Sequence, residues 1–122
     1  MTKSSLDCTF EQELVNQIVE LSLQKRAKNL VVLDLRGLSA FTDFFLICHG
    51  ESEPQVKAIT DHIRKSTKRK PHHIEGYDSK SWILLDYFDV VVHIFKKRDR
   101  EFYGLERLWA DAPKKHVINE KD

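Results

Sequence analysis

Between residues 82 and 87 the chain alternates faces with period two. Trp82, Leu84 and Asp86 fall on one side of an extended strand, and Ile83, Leu85 and Tyr87 on the other. The next apolar segment, Val90-Val91-Val92-His93-Ile94-Phe95, does not alternate. A β-branched run of that kind predicts an interior strand buried on both faces, joined to its predecessor by a turn at Tyr87-Phe88-Asp89. Upstream, Phe10, Leu14, Ile18 and Leu21 recur at helical spacing, widened by Val15 and Val19, and predict an amphipathic first helix. Thr9-Phe10-Glu11-Gln12 has the form of a capping box, and Lys25, Arg26 and Lys28 are expected in the last turn.

Two apolar strands follow, over Asn29 to Leu35 and from Phe44 to Cys48, the second stopped at His49-Gly50. Too few residues separate them for a helical crossover, so they are expected to be antiparallel neighbours. Ser52-Glu53-Pro54-Gln55 opens a second helix with Val56, Ile59 and Ile63 inward, because Ser52 can cap and Pro54 loses no bond in a first turn. A short strand over His72 to Glu75 precedes Trp82. A last helix begins near Asp99, carries Phe102, Leu105, Leu108 and Trp109, and closes at Ala112-Pro113. The order α, β, β, α, β, β, β, α predicts a single α/β domain, a mixed five-stranded sheet with flanking helices. Residues 1–9 read as an N-terminal tail, 10–113 as the domain, and Lys114 to Asp122 as a charged, mobile tail.

Charge narrows the function. Lys and Arg number 20 against 19 Asp and Glu, so a general affinity for nucleic acid is not indicated. Arg64-Lys65-Ser66-Thr67-Lys68-Arg69-Lys70 can form a phosphate-binding patch, but a solvated helix end that complements the dipole is the preferred reading. No apolar run approaches the roughly 20 residues that cross a bilayer. The first residues lack the apolar core of a targeting peptide. Cys8 and Cys48 sit in unrelated contexts, consistent with a reduced, cytoplasmic protein without a structural disulfide.

Catalytic patterns are missing. The six histidines include no helical i, i+4 pair with a third ligand, so no metal is expected, and Cys48 inside a strand reads as a buried thiol rather than a nucleophile. There is no Gly-rich loop and no Asp-x-Asp. The acid pair of Asp99-Arg100-Glu101 lacks a third carboxylate on a strand. Asp86 and Asp89 flank a turn, where either a backbone-bonding or a contact role is open. Trp82, Tyr103 and Trp109 can be core aromatics. Their polar company, Asp86, Tyr87, Asp89, Glu106 and Arg107, favours a binding surface.

Leu33 to Phe45, Gln55 to Ile59, Glu75-Gly76, Trp82 to Phe95, and Arg100 to Tyr103 through Leu105 to Trp109 together resemble the ribosomal silencing factor, or Iojap-like, family, collinearly over about residues 10–113. The resemblance implies a nucleotidyltransferase-like topology without the catalytic acids. It further implies a non-enzymatic translational repressor that needs no cofactor and binds the large ribosomal subunit through its surface protein number fourteen. Such a factor blocks joining of the small subunit when nutrients are scarce. The implied contact residues are Trp82, Leu84, Asp86, Tyr87 and Asp89, with Tyr103, Arg107 and Trp109 from the last helix. A large-subunit assembly factor and a residual nucleotidyltransferase are the alternatives, and the aromatics around Trp82 could also pair two copies off the ribosome. The chain departs from the family at Phe88, where many members have glycine, and over Cys48 to Pro54.

Overall fold

The sheet is built around β5 (Val90–Lys96), whose residues Val90 to Phe95 are all buried, as its β-branched run predicts. On one side it pairs in parallel with β2 (Phe44–Gly50), from Phe44↔Val90 to Gly50↔Lys96. On the other it pairs antiparallel with β4 (Trp82–Asp86), with Trp82 opposite Phe95 and Asp86 opposite Val91. The computed structural model describes residues 10–117, and side chains from residue 13 onward. Its strand order is β3-β4-β5-β2-β1-β6, in which β3 is His73–Glu75, β1 is Lys28–Asp34 and β6 is Lys114–His116. β1 runs antiparallel to β2, as the short connection requires.

Helices α1 (Phe10–Gln24) and α2 (Glu53–Ser66) cover one face. Leu14, Val15 and Ile18 of α1 and Val56, Ile59 and Ile63 of α2 pack on Leu46, Cys48, Ile83, Leu85, Val92 and Ile94. Ser52 caps α2, accepting a bond from the Gln55 amide at 3.3 Å, with Pro54 in the first turn. The opposite face holds a smaller cluster of Val31, Leu33, Leu35, Ile47 and Phe95, covered by Leu105 and Ala112.

Several boundaries differ from the sequence reading, each for a local reason. α1 has no basic residue in its last turn. It ends at Gln24, ahead of Arg26 at φ 63°, with Ala27 N–H donating to the Ser22 carbonyl and Arg26 N–H to that of Leu23, the bond pattern of a left-handed C-cap. Lys28 already belongs to β1. The expected cap at Thr9, like Cys8, lies outside the described residues. β2 continues through His49 and Gly50, because its parallel ladder with β5 runs that far.

The last helix is two: α3 (Lys97–Tyr103) and α4 (Leu105–Leu108), separated by Gly104 in the left-handed region at φ 57°. Only Leu105 of its apolar residues is buried, while Phe102 and Leu108 are exposed. Finally, Lys114–His116, read as the beginning of a tail, pairs with β1 through Val31↔His116 and gives the sheet a sixth strand.

Val92 lies between Leu46 and Leu85 in the ladders and faces the two helices. Replacing it with Asp buries an unpaired charge, whose cost of several kcal/mol rivals the whole stability of a small domain. A Val92→Asp protein is therefore expected to show no cooperative melt by circular dichroism. A soluble variant with a sharp transition would contradict this placement of β5.

Candidate functional site

The pleat of β4 sorts its side chains as the alternation predicts: Ile83, Leu85 and Tyr87 are fully buried toward α1 and α2, and Trp82, Leu84 and Asp86 are half-buried on the other face. Register extends that second face across the sheet, placing Leu84 beside His93 and Ile47, and Asp86 beside Val91 and Phe45. Trp109 packs edge-on against Phe45 at 5.9 Å. Phe41, 90% exposed, and Phe88 stand over the same region. Together these groups frame a groove of about 460 Å³ in which Asp86 is the one formal charge among the described residues.

Trp82 is held by three contacts. Its indole N–H donates to His93 Nδ1 at 3.0 Å, its ring stacks on Phe95 at 4.9 Å, and Tyr103 lies against it at 4.9 Å. Accepting at Nδ1 places the proton of a neutral His93 on Nε2. Burial pushes the His93 pKa down to about 3, so the ring is uncharged near neutral pH. Nε2 has no hydrogen-bond partner among the described residues, and the ring meets Phe45 edge-on at 4.4 Å. Thr42 Oγ1 is likewise buried without a partner and lines the same groove. Trp82 thus combines a packing role with a remaining exposed surface.

The two hairpin aspartates have separate tasks. Asp86 Oδ1 accepts the Phe88 amide at 2.7 Å, an Asx arrangement that holds Phe88 at φ 75°, while Asp86 remains on the groove rim. Phe88 stacks on His72 at 3.9 Å. Asp89 is drawn away into an ion pair with Arg69, and its carbonyl accepts the amides of Asp43 and Phe44. The basic run thus serves structure: Lys70 Nζ donates to the carbonyls of Arg64, Lys65 and Thr67 at 3.2, 3.0 and 2.9 Å, closing the end of α2.

The structure therefore brings together Trp82, Leu84, Asp86, Tyr103 and Trp109 of the expected contact set. It does not bring Tyr87, Asp89 or Arg107 to them. Tyr87 points to the helix-covered face, fully buried, with its hydroxyl 3.0 Å from Thr67 Oγ1, and burial raises its pKa. Arg107 lines a different hollow beside Gly104. Sequence reasoning passed over Phe41, Phe45, Thr42 and His93. Phe45 carried a signal, since period two sets it opposite the buried Phe44. The others reach the groove through register and loop packing.

Elsewhere the chemistry is quiet. Burial pushes the Cys48 thiol up to about 12, far from a reactive thiolate. Arg100, between the acids of Asp99-Arg100-Glu101, is buried and forks onto Glu106 at 3.0 Å through both Nε and Nη2. Among the described residues, no three His, Cys, Asp or Glu side chains are grouped to hold a metal ion, and no helix is long and apolar enough to cross a membrane.

A neutral, buried His93 makes stability depend on pH. Its folded pKa of about 3 lies below the ordinary 6.5, so the unfolded chain binds more protons between those values. Stability is then level above pH 6.5 and falls as pH drops, by about 2 kcal/mol at about pH 5. His49, also lowered by burial and next by Arg100, acts in the same direction. In His93→Gln, whose amide oxygen can still accept from Trp82, the dependence is expected to shrink by roughly this amount. Urea melts at pH 7 and pH 5 measure it, and equal slopes for both proteins would contradict the assignment.

With this geometry in view, comparison with known proteins gives a consistent result. The family model described as "Ribosomal silencing factor during starvation" matches residues 9–122. The ribosomal silencing factor of Halalkalibacterium halodurans is 46% identical over 105 residues, covering 84% of this chain and 90% of that protein. A crystal structure from Bacillus halodurans superposes with a TM-score of 0.75 at 40% identity, over 87% of this chain and 99% of that one. More distantly, the mouse protein named "Mitochondrial assembly of ribosomal large subunit protein 1" is 30% identical over 102 residues, 79% of this chain and 45% of its own length. An α/β sheet with an aromatic groove on its thinly covered face is, in this chain, the fold of a member of the ribosomal silencing factor family.

Proposed function

We propose that this chain is a non-enzymatic translational repressor of the cytoplasm that docks on the large ribosomal subunit and obstructs joining of the small subunit when nutrients are limited. The docking surface is the β4 face, with Trp82, Leu84 and Asp86 at its centre and Tyr103, Trp109, Phe41 and Phe45 around them. Its partner is the large subunit's surface protein number fourteen. One observation carries the reading: a groove of about 460 Å³ with aromatic walls and a single carboxylate on its rim, in a member of this family. Such a mixture suits a protein surface that inserts an apolar side chain beside a cation. It suits phosphate poorly, because Asp86 is the only charged group there and it repels anions.

Asp89 and Tyr87 act behind this surface, fixing the hairpin to Arg69 and Thr67. A second reading, large-subunit assembly through the same contact, is favoured by the name of the mouse relative. Ribosome profiles of growing and starved cells lacking the protein separate the two, since an assembly factor leaves precursor subunits during growth.

Trp82→Ala is expected to weaken large-subunit binding by about 2 kcal/mol or more, the effect of removing an aromatic anchor. It also lowers the melting temperature, because the ring stacks on Phe95 and bonds His93. Phe41→Ala separates the two effects. That side chain is 90% exposed, so the variant is expected to melt as wild type while binding more weakly. Unchanged co-sedimentation of both variants with large subunits would remove the β4 face from the contact.

Steric obstruction consumes nothing, so inhibition is expected to saturate near one copy per large subunit. It is also expected to weaken when preassembled ribosomes replace free subunits. An in vitro translation reaction titrated from each starting point measures both. Inhibition far below one copy per subunit, or nucleotide turnover with added magnesium or manganese, would point to an enzyme instead.

A further inference from the structure

Arg107 lies outside the groove and is unemployed where it sits. Its guanidinium rests directly on Gly104: a Cβ added there would fall 2.3 Å from Arg107 Nη2 and 2.6 Å from Cζ. Gly104 therefore does two things, breaking the helix with its left-handed conformation and leaving room for the guanidinium. The Arg107 guanidinium has no hydrogen-bond or ion-pair partner among the described residues. The carboxylate beside it in sequence, Glu106, is taken at both oxygens by Arg100.

The hollow lined by Arg107 is about 590 Å³, within the range of small-ligand sites. His49, only 4% exposed, lines it too, and its Nδ1 accepts from Arg100 Nη1 at 3.0 Å. The proton of the neutral ring is thereby fixed on Nε2, which makes that edge a donor. Lys97 at the start of α3 and His116 on β6 complete the basic side, and Lys97 also has no ion-pair partner among the described residues. The lining holds Lys97, Arg100 and Arg107 against Glu101 and Glu106, and the pairing of Arg100 with Glu106 leaves Lys97 and Arg107 facing the single acid Glu101.

We propose that this hollow is an anion site that takes the phosphate group of a small molecule, with Arg107 as its principal ligand and Lys97 and His49 as supporting donors. A guanidinium fork with an ammonium and an imidazole N–H matches the several oxygens of a phosphate better than the two of a carboxylate. The concave form and the acid Glu101 at its wall favour a compact anion over an RNA backbone, which needs a longer cationic stripe. The site is independent of the β4 groove, so failure of either assignment leaves the other standing.

The test is amide chemical-shift titration of the whole chain with inorganic phosphate, adenosine monophosphate, adenosine, and sodium chloride at matched ionic strength. Phosphate and the nucleotide are expected to shift Asn29, Gly104, Arg107 and His116 saturably, and adenosine and chloride are not. Tighter binding of the nucleotide identifies a phosphoester as the natural source, and equal binding identifies free phosphate. Arg107→Gln is expected to weaken binding about ten-fold or more. Lys97→Gln, an exposed change, gives a smaller loss and serves if the first variant does not fold. Phe41→Ala is expected to leave the titration unchanged. Shifts reproduced by chloride, or insensitive to Arg107→Gln and Lys97→Gln, overturn the site. So does a response to an RNA oligonucleotide with none to phosphate or the nucleotide.

Discussion

The parallel pairing of β2 with β5 is the constraint from which the rest of the molecule follows. A parallel ladder from Phe44↔Val90 to Gly50↔Lys96 cannot be closed by a tight turn. The chain between the two strands must travel over the sheet, and it does so as α2, β3 and β4. Placing β5 between β2 and β4 buries it on both faces, so each face needs apolar cover. α1 and α2 supply it on one side. Among the described residues the other side receives α3, α4 and the segment to Ala112, which cover Phe95 and Ile47 but leave the strip from Leu84 to Phe45 thinly shielded. The groove is thus a consequence of unequal cover over a strand that must be buried.

That unequal cover explains why the same residues take part in both stability and the candidate contact. Trp82 fills space over Phe95 and satisfies its indole on His93, yet keeps part of its surface exposed. His93 accepts at Nδ1 and is left with an unpartnered, buried Nε2, an arrangement that stability alone would not favour. The cost is tolerable because burial keeps the ring neutral. A neutral ring also keeps cationic charge off the groove, leaving Asp86 as its one charged group.

How much of this was legible in the sequence depends on the range of the interactions involved. Alternation in β4, the β-branched run of β5 and the Ser52 cap are set by neighbours within a few residues, and all are found where the pattern placed them. Lys114–His116 contains no apolar residue, so nothing local marks it as a strand; the open edge of β1 recruits it. Gly104 lies inside a segment read as one helix, and its left-handed conformation divides that segment in two. Tyr87 could be assigned to a face by period two, yet its polar hydroxyl made it resemble a contact residue. Only the buried Thr67 hydroxyl, 20 residues away, reveals its structural role.

The same separation of ranges accounts for where chemistry lies in the molecule. Charged side chains that the sequence sets side by side are divided by the fold into pairs that neutralise one another and groups left over. Arg100 with Glu106 and Arg69 with Asp89 are of the first kind, and each ties a loop or helix end to the body. Asp86 and Arg107 are of the second, one beside the aromatic groove and one against a glycine. Their signs are opposite and they line different hollows, so the molecule presents an acidic apolar surface and a basic concave one. A near-zero net charge, read from composition as evidence against a general affinity for nucleic acid, is compatible in this fold with local imbalance of either sign.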